Sequence, residues 1–114
     1  MTITELLQNQ LDTEGERTRR ALERVPEGLD DWKPHEKSMA LGRLTMLVAR
    51  MPSWLAMIIH RDELDLNPKG GSNINQTPLR TSAELVRALD EGIAEARSAL
   101  AQTTDEHLMK PWRL

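Results

Sequence analysis

The apolar residues in the first part of the chain recur at the spacing of a helix. They lie three or four residues apart, or at sums of these steps, so they share one face of an amphipathic helix. These residues are Ile3, Leu7, Leu11, Ala21, Leu22 and Val25. Thr2 and Glu5 stand at the ends of a capping-box sequence, so we predict that the helix begins there and ends before Pro26.

Two polar residues interrupt the apolar face of this first helix. Glu14 and Thr18 fall on inward positions, where a fully apolar face would carry leucine. One interpretation is that the face drifts around the helix, so that both side chains meet water. The other is that the two residues form a polar pocket at mid-height in a helical bundle.

A second stretch, from about Met39 to Ile59, has the strongest helical pattern in the chain. Its apolar residues are Leu41, Leu44, Leu47, Val48, Met51, Leu55, Ile58 and Ile59. Pro52 lies inside this stretch and lacks a backbone N–H, so we predict a kink between Val48 and Pro52. The preceding residues, 26–37, are predicted to be a loop in which Trp32 packs against the bundle as an apolar plug.

A third helix is predicted to follow Thr81, which opens a second capping-box sequence with Glu84. Its apolar face consists of Leu85, Val86, Leu89, Ile93, Ala96 and Leu100, and it should run to about Gln102. Residues 60–80, rich in proline, glycine and asparagine, are predicted to be a long surface loop. Thr104 begins one more short turn, which Pro111 ends.

Three long helices that each bury one face indicate an all-α fold, most simply an antiparallel helical bundle. The length fits a single domain over residues 1–114. No apolar run approaches the roughly 20 residues of a membrane span, and the N-terminus lacks a secretory signal pattern. We therefore expect a cytoplasmic protein that does not bind membranes.

Composition narrows the chemistry further. The chain has no cysteine, so it can form neither a disulfide nor a thiolate nucleophile, and any metal would need histidine or carboxylate ligands. The formal charge of -3 gives no general attraction for phosphate backbones, so nucleic acid is not an expected partner. The local basic residues alternate with glutamates and are predicted to form a solvated helix face. They are Arg17, Arg19, Arg20 and Arg24.

A longer segment carries a family resemblance. Residues 29–44 read LDDWKPHEKSMALGRL and are followed by MPSW at residues 51–54. This region resembles the second-helix region of the DinB-like family, and the segments 63–66, 84–85 and 108–112 fall where comparable family segments would lie. The resemblance implies a four-helix bundle of up-down-down-up type, often dimeric. It also implies a divalent metal such as nickel or zinc held by three histidines, with thiol-dependent transferases and isomerases among the relatives.

The metal ligands of that family do not carry over to this sequence. The first ligand would lie six residues after Leu41, and Leu47 stands there. The other two form a His-x-x-x-His pair on the fourth helix, which would begin after Leu114. We therefore assign no catalytic, cofactor-binding or metal residue and expect no cofactor. Ala40 and Arg43 also replace the family's helix-two capping box, and Ser38 is expected to cap instead.

The remaining candidate residues are interpreted as structural. His35, His60 and His107 are expected to be exposed or to anchor loops, because no pair has the i, i+4 spacing of a helical metal site. The methionines of the second helix, Met39, Met46, Met51 and Met57, are expected to fill the core. The glycine-rich segment 68–72 lacks the spacing of a phosphate-binding loop.

Two functions from different classes are compatible with these features. The preferred hypothesis is a DinB-like protein that is non-catalytic, free of metal and homodimeric, acting as a scaffold or small-ligand binder. The alternative is a divalent-metal-dependent enzyme of the thiol transferase or hydrolase type. Its remaining ligands would lie beyond Leu114, with Glu14 or a water completing the site.

Overall fold

The computed structural model describes residues 2–61 and 79–112, which contain four helices and no strand. The helices are α1 (Ile3–Glu23), α2 (Leu41–His60), α3 (Ser82–Gln102) and α4 (Asp105–Leu108). The prediction of an all-α fold is therefore confirmed for this part of the chain. Most of the predicted loop 60–80 lies outside the described residues, and so do segments 63–66 and 68–72. His60, which was predicted to follow the second helix, belongs to α2.

Side chains cap three of the four helices at their N-termini. The capping box of α1 is confirmed, since the Glu5 N–H donates to Thr2 Oγ1 at 3.1 Å and the Thr2 N–H donates to a Glu5 carboxylate oxygen at 3.4 Å. Thr81 caps α3 and Thr104 caps α4 by the same kind of bond. These hydroxyl oxygens accept bonds from N–H groups that have no partner within the first turn.

The N-terminus of α2 is capped by main chain instead. Ala40 occupies the cap position without a side-chain bond, so the prediction that Ser38 caps this helix is wrong. The Leu41 N–H donates to the Trp32 carbonyl at 2.7 Å, and the Gly42 N–H donates to the Asp30 carbonyl at 2.8 Å. The loop before α2 thus satisfies two N–H groups that have no acceptor inside the helix.

The prediction that Trp32 packs against the bundle as an apolar plug is wrong. Its side chain is 56% exposed. The loop is fixed to α2 through the Trp32 carbonyl and not through the indole ring. The aromatic ring therefore remains on the surface.

The core contacts give the direction of α2 and α3. One core cluster joins Ala49 of α2 to Leu85 of α3, and a second joins Ile59 of α2 to Ala99 of α3. Both helices pass from the first cluster to the second, so they run parallel, and the predicted antiparallel arrangement is wrong for this pair.

The first helix runs in the opposite direction. Leu22 near its C-terminal end belongs to the first cluster, and Leu7 near its N-terminal end packs against the second. The three long helices therefore follow the order up, down, down. Both α1 and α2 pack on α3 and make few contacts with each other.

Close helix packing depends on small residues. A side-chain carbon at Gly92 of α3 would lie 3.0 Å from the backbone nitrogen of Ser53 in α2. Ser53 follows Pro52, which lies within α2, so the helix continues through the proline. The kink expected there stays a prediction.

Two buried glycines provide a matched test of these contacts. A Cβ at Gly42 would lie 2.9 Å from Asp30 Cβ and 3.1 Å from its carbonyl oxygen, whereas a Cβ at Gly15 would meet the side chain of Ile93, at 2.7 Å from its terminal methyl carbon. We expect Gly42→Ala to lower the free energy of unfolding by about 1–3 kcal/mol, because the capping loop has to move. Gly15→Ala should change it by less than about 1 kcal/mol, because Ile93 can rotate while alanine favours the helix.

Urea denaturation followed by circular dichroism measures both variants. Equal losses in the two variants would show that the loop contact at Gly42 is not what makes alanine unfavourable there.

Candidate functional site

The second helix is apolar on two opposite sides. Its buried residues are Gly42, Thr45, Ala49, Ala56 and Ile59, of which Ala49, Ala56 and Ile59 belong to the core clusters shared with α3. On the other side Leu44, Met51 and Ile58 follow one another at seven-residue intervals and are 45%, 49% and 40% exposed. Leu47 and Trp54 lie between them and are half-buried. We call these five residues the outer stripe.

The prediction that the methionines of the second helix fill the core is wrong for two of them. Met39 and Met51 are exposed rather than packed in the core, and Met46 and Met57 are half-buried. The seven-residue spacing of Leu44, Met51 and Ile58 is that of a helix seam which meets another helix.

No helix in the described part of the chain combines the length and apolarity that crossing a membrane requires.

The resemblance assigns a metal ligand to position 47. The structure places this position on the outer stripe. Leu47 stands there, half-buried, and it is not among the side chains packed against the two core clusters.

The polar residues Glu14 and Thr18 do not form a pocket. The Glu14 side chain is exposed and pairs with Arg17 at 3.2 Å, and the Thr18 hydroxyl donates to the Glu14 carbonyl at 2.8 Å.

The histidines lie at two places in the fold. His35 is exposed in the loop before α2, where its Nδ1 accepts a bond from the Lys37 N–H at 3.1 Å. His60 and His107 both line a cleft of about 480 Å³ where α2 and α3 end. Gln102, Thr103 and Thr104 also line it. Among the described residues, no three histidine or carboxylate side chains are grouped as metal ligands would be.

The ring of His107 has a structural partner. Its Nε2 lies 2.8 Å from the Ile59 carbonyl oxygen in the last turn of α2. Because a carbonyl can only accept, Nε2 carries the proton, and Nδ1 is the acceptor in the neutral ring. His107 is therefore a residue that anchors the C-terminal segment, as predicted, and it satisfies a carbonyl left without a helical partner.

Asp105 makes a second long-range contact from the same segment. Its two carboxylate oxygens accept the N–H groups of Ile3 and Thr4, each at 3.1 Å, at the start of α1. Trp112 Nε1–H donates to the Arg61 carbonyl at 2.7 Å. Residues 104–112 thus tie the start of α1 to the end of α2, and we call them the C-terminal clasp. The sequence shows the Thr104 cap but gives no signal for these distant partners.

Ion pairs join α1 to α3 on the surface. Arg19 Nε donates to Asp90 at 3.0 Å, and Arg97 pairs with Asp12. The hydrogen bond that Arg19 donates to Asp90, followed by the negative charge of Asp90, raises the pKa of Arg19. Of the predicted solvated basic face, Arg17 and Arg20 are exposed, whereas Arg19 joins the two helices. Exposed pairs of this kind contribute little to stability, so they orient the helices rather than hold them.

The clasp generates a testable expectation. Asp105→Asn should lower the free energy of unfolding by about 1 kcal/mol, because an amide offers one acceptor oxygen to two N–H groups and no charge to the positive end of α1. Urea denaturation measures the change, and amide hydrogen exchange at Ile3 and Thr4 should become faster. Glu106→Gln is the control, because this substitution removes the same charge from the same turn and Glu106 is exposed. Equal effects of the two substitutions would contradict a specific cap by Asp105.

Comparison with known proteins does not add a family assignment to this geometry. No family model, no curated protein and no solved structure matches the chain. The function therefore has to be inferred from the outer stripe, the histidine cleft and the order of the helices.

Proposed function

We propose that this chain is a DinB-like helical domain that acts as a non-catalytic, metal-free homodimeric scaffold. The observation that carries the proposal is the second apolar side of α2. Leu44, Met51 and Ile58 are exposed on that side, although α2 already buries its opposite side against α3. A helix that is apolar nearly all round normally lies inside a larger packed structure.

The order of the helices supports the DinB-like part of the proposal. Up, down, down is the order of the first three helices in the up-down-down-up bundle that the resemblance implies. Among the described helices, none covers the side of α2 on which Leu47 stands. In a bundle of that type, a further helix packed on this side would cover the outer stripe.

The identity of Leu47 supports a metal-free protein. Leucine has no donor atom for a metal, and its neighbours on the stripe, Leu44 and Met51, are also apolar. Such a surface contributes free energy by burying apolar area, at roughly 25 cal/mol per Å². The histidine cleft, with His60, Gln102 and the two threonines around it, is the place where a scaffold of this kind would bind a small polar ligand.

The oligomeric state tests the homodimer. Multi-angle light scattering coupled to size exclusion should give twice the chain mass of 13.0 kDa at high micromolar concentration. Dilution should shift the mass toward the monomer, because the association buries a surface of limited size. A monodisperse monomer at the highest concentration would contradict the proposal.

Metal content tests the other half of the proposal. Untagged protein dialysed against low micromolar nickel and zinc should contain close to zero equivalents of either metal by elemental analysis. A stoichiometry near one per chain would instead favour the enzymatic alternative. The metal content is measured again after a chelating resin has removed weakly bound ions. This second measurement distinguishes a real site from adsorption to the surface.

A further inference from the structure

We propose that the histidine cleft binds the primary ammonium group of a small organic cation. The proposal rests on the small-ligand binding proposed for the scaffold and names the class of ligand. The cleft has a volume of about 480 Å³ and lies where α2, α3 and the C-terminal clasp meet. His60 and Gln102 line it from the two helices, and Thr104 and His107 line it from the clasp.

The ends of two parallel helices give the cleft a negative potential. The C-terminal end of a helix carries the equivalent of about half a negative charge, and both α2 and α3 end at this cleft. Helices often place lysine or arginine in the last turn, where it interacts favourably with that end. The last turn of α3 contains no basic residue, and the last turn of α2 contains only His60. A cationic ligand can therefore supply the charge that these two helix ends lack.

The described lining of the cleft carries no permanent positive charge. It contains neither lysine nor arginine. Arg61 follows His60 in the sequence, but it is exposed and is not a lining residue. An anionic ligand would face two negative helix ends without a fixed cation to hold it, so the charges favour a cation.

The polar groups of the cleft can accept the three hydrogen bonds that an ammonium group donates. His107 Nε2–H is already given to the Ile59 carbonyl at 2.8 Å, so Nδ1 is an acceptor in the neutral ring. Within the described part of the chain, no group donates a hydrogen bond to this Nδ1. Gln102 and Thr103 add an amide oxygen and a hydroxyl oxygen to the lining.

The same groups suit an ammonium ion better than a metal ion. No three histidine or carboxylate side chains are grouped as metal ligands in the described residues. Zinc sites are built from histidine, cysteine and carboxylate ligands, and amide or hydroxyl oxygens are not their usual donors. An ammonium group needs only acceptor atoms within hydrogen-bond distance.

The base of the cleft adds a contact for an alkyl group. Ile59 and Ala99 line the cleft and belong to the second core cluster, where both are buried. An ammonium group that carries a short alkyl chain can therefore make polar and apolar contacts in the same cleft. Propylammonium is the simplest probe with both features.

An NMR titration with propylammonium chloride tests the proposal. The isotope-labelled chain is titrated at about pH 7.5, where a model imidazole is mostly neutral. We expect saturable shifts of the backbone amide signals of His60, Gln102, Thr103 and His107. The dissociation constant should be about 1–10 mM, because a ligand of four heavy atoms makes few contacts.

Two further probes separate the ammonium group from charge alone. Tetramethylammonium has the same charge but no N–H group, and it should bind at least about fivefold more weakly. Sodium propionate, at the same ionic strength, should cause no saturable shift at the cleft residues, because its charge has the opposite sign.

Variants assign the binding to named groups. Gln102→Lys attaches an ammonium group to an exposed lining residue, and it should reduce propylammonium binding below detection because its own side chain occupies the cleft. Gln10→Lys is the matched control, since it adds the same charge at an exposed position of α1 that does not line the cleft. Its affinity for propylammonium should stay within about twofold of the original value.

A histidine variant separates the ligand from the anchor of the clasp. His107→Gln keeps a side-chain N–H that can donate to the Ile59 carbonyl but has no acceptor at the position of Nδ1. It should weaken propylammonium binding about fivefold. Circular dichroism of each variant confirms that the helices are intact.

The outcomes separate this ligand class from the homodimer. Equal shifts with propionate and propylammonium, equal binding of tetramethylammonium, or binding that survives both Gln102→Lys and His107→Gln would each overturn the proposal. Absence of saturable shifts in a protein that light scattering shows to be dimeric would overturn the ammonium site and leave the homodimer in place. Saturable binding by a monomer would support the ammonium site and overturn the homodimer.

Discussion

Close packing of α3 against its two neighbours is the constraint on which the rest of the structure depends. Leu85, Leu89 and Leu100 of α3 are its largest fully buried side chains. Glycine and alanine at the crossing points let the helix backbones approach, and a side-chain carbon at Gly92 would lie in tight contact with the Ser53 backbone. Because α3 takes up the apolar faces of both α1 and α2, these two helices have little reason to meet each other.

The exposed apolar side of α2 follows from this arrangement. A helix in contact with one neighbour can bury about half of its circumference, yet α2 is apolar over much more than half. Val48 and Leu55 are half-buried at the edge of the core and connect it to the outer stripe. Only Arg43 and Arg50 bring formal charge to α2 before its terminal histidine. The surplus of apolar surface is thus concentrated on one element.

The sequence predicted the helices because the signals for them are local. Periodicity over a few turns and the Thr2 and Thr81 caps lie within the segments they define. The predicted direction of α3 relative to α2 was wrong, because this direction depends on a connection whose path no local pattern encodes. Contacts between distant parts of the chain, such as Asp105 to the start of α1, were missed for the same reason. Trp32 was misplaced because hydrophobicity alone does not show that its backbone, rather than its ring, makes the contact.

The position of Leu47 connects these observations to function. A histidine on the open side of α2 would need two further ligands brought to it by another element, and each partner would have to be fixed in place. A leucine there needs only an apolar surface, which a second copy of the same helix can supply. The neighbouring stripe positions are apolar as well, so this side of α2 is suited to packing against another apolar surface. The clasp uses His107 in the same structural sense, since its ring N–H is already given to the Ile59 carbonyl. In the described part of the chain, the buried side of α2 and the ring of His107 therefore both make contacts between helices.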